Sequence, residues 1–438
     1  MGCEDGDCAH SWHYAPYRSL YGALELGRGV AVARLRHQRQ RAELVYQCCG
    51  RDTRWDWQTD SRSTYLARLL RDLRLDVAPL IAQLHACGPY RAWLESDPSD
   101  EDNQFDLAVG VLTTLARAGG GQAREALRRY IHNGVRWIDA LTTLTVEWPV
   151  EWWDDLWETA AMRVGVGDTA QLWPSEHPWS RWRGRDARLD AVLGAAVRSR
   201  SPGCVRRVSL TDASDADLIA LLRSTDTDAA AMGLALGQIR HRGRPIPELL
   251  DIVERLAPAR PAGLFGALRT LGPQVLPLAR AWAADADHPL FRNAPHLLAE
   301  QGDEQDIAVL FAALDQLGDE WCGYDVLTEG LARILMAAPP AAHTDTRAML
   351  IRRLRWLTVA SPHSYERASY LRSLLLLDEE RTMEVLPIHL LDCEPSVRLL
   401  AARHTPLTDD ARSWLAELRD DPIEDEDVRL AAAERLPA

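Results

Sequence analysis

The chain has 438 residues, 47% of them hydrophobic and 26% charged, with a formal net charge of −14 and a pI near 5.4. A single hydrophobic core stops growing at roughly 250–300 residues, so this length demands either several domains or a stack of repeats. The acidic balance argues against a dedicated nucleic-acid binder, and all 50 basic residues are arginine, which excludes lysine-base, Schiff-base and Walker-type phosphate-loop chemistry.

Residues 1–16 read as an irregular segment. The start MGCEDGDCAHSWH lacks the basic and apolar regions of a secretory leader. It does place Cys3, Cys8, His10 and His13 within eleven residues, a ligand set zinc could use. All four would share one short loop, a tighter arrangement than a usual finger, and an ordinary frayed terminus is the competing reading. The eight cysteines are otherwise scattered, with no disulfide-scaffold spacing, which points to a reducing cytoplasm.

Residues 17–200 read as helical but atypical. RWDWQTDSR at 54–62 sets Asp56 and Asp60 beside Trp55 and Trp57, a conceivable acid–base pair. No nucleophile accompanies it, and Asp60 or Ser61 serves equally as a helix N-cap. LARLLRDLRL at 66–75 and LAVGVLTTLARA at 107–118 repeat apolar residues at three- and four-residue steps, predicting amphipathic helices. GGG at 119–121 lies between helices and reads as a linker. Eight of the sixteen tryptophans fall between 137 and 182. Trp153 and Trp157 share a helical face and read as packing. WPSEHPWSRW at 173–182 is broken by prolines and reads as a loop. That loop is the candidate recognition patch, formed by Trp173, Trp179, Arg181, Trp182, Arg183 and Arg185, because tryptophan and arginine dominate binding hot spots. Eight arginines lie between 181 and 207, whereas 392–438 holds twelve acids and six arginines, so self-association is a possible use of both segments.

Residues 201–438 read as a repeat array. LLDIVERLA, IAVLFAALDQL, MLIRRLRWLTVA and YLRSLLLL keep the helical period, and RGRP, GP, APP and SP interrupt it at short intervals. No alternating strand pattern appears, so little or no sheet is expected. No apolar run approaches the ~20 residues that cross a bilayer.

The clearest repeat is EPSVRLLAARHTPL at 394–407 against DEDVRLAAAERL at 425–436, with Val397 and Val428 31 positions apart. Acids before the helix suit its N-terminus, and the small residues permit close stacking. This pattern resembles the second helix of HEAT (armadillo-like) repeats, with looser copies at 226–239 and 286–317. The resemblance implies an all-α superhelix of antiparallel helix pairs. Members are typically scaffolds or adaptors, so it implies a non-enzymatic cytoplasmic protein that binds another cytosolic protein and needs no cofactor. Two alternatives stand beside it. One is a nucleic-acid binder or enzyme similar to HEAT-fold DNA glycosylases, none of whose active residues maps here. The other is a metal-binding module at the N-terminus.

Overall fold

A computed structural model describes residues 14–51, 61–89, 100–200, 210–317, 322–339 and 341–436. The fold is all-α. Among the described residues there are twenty-five α-helices, ten short 3-10 segments and no strand. None of these helices is long and apolar enough to cross a membrane.

Local chemistry sets the helix ends. Ser214 accepts from the Asp217 N–H at 3.1 Å while the Asp217 carboxylate accepts from the Ser214 N–H at 2.9 Å, a reciprocal cap that starts Asp215–Arg223. Asp228 and Thr408 cap Ala229–Arg242 and Asp409–Asp420 one-way, their side chains accepting from the N–H groups of Ala231 and Ala411. The RGRP break works through Gly243, whose φ of 63° ends Ala229–Arg242 in the left-handed region that a glycine adopts without strain.

The chain forms two compact units. The first comprises Met1–Gly203, Val359–Tyr365 and Arg381–Ala438; the second comprises Cys204–Thr358 and Glu366–Glu380. The array expected over 201–438 is therefore divided between them, its last 58 residues grouping with the N-terminal half. Long-range packing is responsible. Gly29–His37 packs on Leu386–Leu391, and the Cys393 N–H donates to the Gly27 carbonyl at 2.8 Å. Leu391 and Cys393 are buried in the same core as Leu24, Leu35, Leu66 and Leu70.

Within each unit, alternate helices lie side by side. Ala294–Gln301 packs on Tyr324–Ala337, which packs on Arg367–Leu377; Pro395–His404 packs on Glu426–Arg435. The register is readable from close contacts. Gly330 approaches Ala299, 31 positions earlier, so tightly that a β-carbon there would lie 2.6 Å from it. Arg333 donates to the Gly302 carbonyl at 2.9 Å, again 31 positions earlier. Equal offsets at successive turns mean parallel helices.

An arginine clasps several of these pairs. The last carbonyls of a helix have no intrahelical partner, and a planar guanidinium fork can take two of them at once. Arg163 donates to the carbonyls of Ile131 and Gly134 at 2.5 and 2.7 Å. Arg333 donates to Ala299 and Gly302. Arg435 reaches the carbonyls of Ala402, Arg403 and Thr405. Each clasp joins a helix to the C-terminal end of one about 30 residues earlier, as the separations of 29 to 34 show.

Candidate functional site

The tryptophan–arginine segment is built differently from an exposed loop. Residues 179–182 form a short helix, and Trp179 and Trp182 are among the largest fully buried side chains. Trp182 packs edge-on against Trp153 and Trp179, with ring centroids 5.9 Å apart in both pairs, and Trp179 packs against Trp137 at 6.2 Å. These two residues therefore offer a partner no surface. The prolines break the helical pattern, but they turn the chain inward onto the Trp137–Glu147 helix.

Asp154 organises the polar side of this cluster. Its carboxylate accepts from the Trp182 indole N–H at 3.1 Å, from Arg181 Nε at 2.9 Å and from Arg185 at 3.0 Å. Desolvation pushes its carboxyl up, but the bonds from Arg185, Arg181 and Trp182 outweigh that and hold it below the usual aspartate range. Of the six candidate residues, Arg181 and Arg185 are thus committed to Asp154. Arg183 is exposed and leans on the Pro174 carbonyl at 3.4 Å, and Trp173 is 52% exposed. Cys3, Cys8, His10 and His13 lie outside the described residues, as do Trp55 to Asp60. Among the described residues no group of His, Cys, Asp and Glu is arranged to hold a metal.

Two polar sites were not anticipated. The first is a carboxyl pair in the second unit. Glu366, 1% exposed, sits just ahead of the Arg367–Leu377 helix and faces the N-terminus of Tyr324–Ala337. Its carboxyl accepts from the Gly323 N–H at 2.6 Å and from the Tyr370 hydroxyl at 2.5 Å, and it shares a hydrogen bond with Asp325. Burial first, and the Asp325 charge second, raise its pKa to about 8, against the lowering by Gly323 and Tyr370. Glu366 is therefore protonated at neutral pH. His296 lies on the far side of Gly323, whose missing β-carbon would fall 2.7 Å from His296 Nε2. Burial lowers the His296 pKa, keeping its ring neutral. A neutral acid, a tyrosine and a neutral imidazole thus gather at one helix N-terminus. Nothing in the SYER sequence around Glu366 marks it; the juxtaposition comes from a 43-residue separation in the chain.

The second is a charge network in the first unit. Arg398, fully buried, donates from Nε and a terminal nitrogen to both oxygens of Glu424 at 2.7 Å. Arg68 hydrogen-bonds Asp421 at 2.8 Å and forms an ion pair with Glu424 at 3.0 Å, and Arg71 bonds Asp421 at 2.7 Å. Arg36 joins Asp72 and Glu417 at 3.0 and 2.7 Å. Burial and then the neighbouring Arg398 lower the Arg68 pKa, against the pull of Glu424 and Asp421. The Asp421 and Glu424 carboxyls are held low by their arginines in spite of desolvation, which is the largest single effect on each. The cleft beside the network has room for about 50 Å³. That is small beside the roughly 300–1,000 Å³ of a ligand pocket. The network therefore fastens the Arg62–Leu73 helix to the C-terminal helices.

Comparison with protein-family models, with curated proteins and with solved structures finds no match for this chain.

Proposed function

We propose that this protein is a non-enzymatic, cytoplasmic interaction scaffold or adaptor, and that its stacked helix pairs form a superhelical array similar to HEAT repeats. One parallel pair offset by 31 residues, and arginine clasps across separations of 29 to 34 residues, support the array. One observation carries the function. The Thr344–Ala360 helix turns Leu350, Leu354 and Leu357 into the core, while Met349, Arg352 and Trp356 face solvent on the opposite side. These three follow one another at three- and four-residue steps and so line one face. Arg353 lies over the Trp356 ring, 5.2 Å from its centroid, which holds the indole in place. A fixed, solvent-facing tryptophan flanked by arginine and methionine is the composition of a protein-binding hot spot. A preformed helix face also loses little ordering entropy on binding.

The test is affinity capture from native extract with the wild type and with a Met349→Ala/Trp356→Ala variant, followed by mass spectrometry. The variant should keep its circular dichroism and lose the proteins that the wild type retains. Identical captured sets would refute the placement.

A further inference from the structure

The complete exclusion of lysine is not explained by the fold. The arginines divide into two classes. Arg163, Arg398 and Arg435 each direct a planar fork at two or more acceptors, and an ammonium cannot reproduce that geometry. Other arginines are under no such demand. The Arg188 side chain is 70% exposed, with its ion pair to Asp186 at 3.7 Å. The side chain of Arg244 is 60% exposed and that of Arg412 is 52% exposed, and each meets one aspartate at the surface. Exposed pairs of this kind contribute ~0–1 kcal/mol, and lysine serves them as well as arginine. Codon preference thins lysine across a chain; here it is missing from all 438 positions, including those to which the structure is indifferent.

Lysine differs from arginine in one chemical respect that selection can act on at every surface position. The ε-amine, once deprotonated, is a nucleophile; the guanidinium stays protonated and delocalised in water. We propose that this protein works beside an enzyme that transfers an acyl or polypeptide group from a thioester to lysine ε-amines, and that these 438 residues escape the transfer because they carry no ε-amine acceptor. In that reaction the amine lone pair attacks the thioester carbonyl carbon, a C–N bond forms and the C–S bond breaks. The sulfur leaves as the thiol with the proton the nitrogen loses, and an amide remains. The inference does not depend on the Trp356 face.

The experiment restores acceptors where the fold tolerates them. An R188K/R244K/R412K variant and an R188Q/R244Q/R412Q control are expressed in the source organism beside the wild type. Purified samples should melt alike, which establishes folding. Peptide mass spectrometry is then read for adducts at the introduced amines, and half-life is followed after translation is stopped. The expected result is a covalent adduct on the lysine variant, with a several-fold change in half-life that the glutamine control lacks. Unmodified amines overturn the proposal, whether or not the half-life changes, and codon usage then accounts for the composition.

Discussion

Replacing Glu366 by glutamine should abolish a pH dependence that the wild type carries. The glutamate pKa rises from 4.5 to about 8 on folding. A raised pKa means that the folded state binds the proton more tightly than the unfolded state. The stabilisation is therefore complete below pH 4.5 and is lost as the pH climbs through 8. At 1.36 kcal/mol per unit, the difference corresponds to about 5 kcal/mol over that window, of which roughly two thirds is gone by pH 7. The cause is physical and local: above pH 8 an ionised Glu366 would sit buried beside Asp325.

Glutamine keeps the shape and cannot ionise. Its carbonyl can accept from Gly323 and Tyr370, and its amide can donate to Asp325. Urea denaturation followed by circular dichroism at pH 5, 7 and 9 measures the effect. Other groups titrate in both proteins, so the informative quantity is the difference between the two stabilities at each pH. It should move in favour of E366Q by several kcal/mol between pH 5 and pH 9. Parallel curves would show that Glu366 ionises in the fold at its ordinary value and would refute the carboxyl pair. D325N should reduce the same slope, because it removes the second cause of the raised pKa.

Three further outcomes follow from packing and charge. Gly330→Ala places a methyl 2.6 Å from Ala299, where two helices meet backbone to backbone, and should cost about 1–3 kcal/mol in a denaturant titration. Trp182→Ala empties a core position and breaks the bond to Asp154; it should lose about 3–5 kcal/mol, while Trp173→Ala at its half-exposed position should cost less. Glu424→Gln strips the charge partner from buried Arg398 and should cost about 3–5 kcal/mol, whereas Arg412→Gln at the surface should cost less than about 1 kcal/mol by the same assay.

What the sequence disclosed depended on how far along the chain each cause acts. The helical fold class was legible because three- and four-residue apolar steps are local. The similarity of the segments around Val397 and Val428 was legible, and the two helices that carry them pack together, with the Arg435 clasp on residues 402–405 joining them. The fate of Trp179 and Trp182 was not legible. Prolines reveal where a helix breaks, and burial is decided by Trp137 and Trp153, residues the break itself does not point to. The Glu366–Gly323 bond is silent for the same reason.

The closure of the first unit lies furthest from local reading. Arg68 meets Asp421 across 353 positions, with the second unit inserted between them. Loop-closure entropy rises only with the logarithm of loop length, about 0.6 kcal/mol per doubling, so so long a separation adds little to the cost of a shorter one. A buried apolar seam from Leu24, Leu35 and Leu66 to Leu391 can offset it. The charges are buried beside this seam: two arginines converge on Asp421 and two on Glu424. Apolar contact thus supplies the driving force for closure, and the arginine network keeps the buried Asp421 and Glu424 carboxylates from being left uncompensated once closure has occurred.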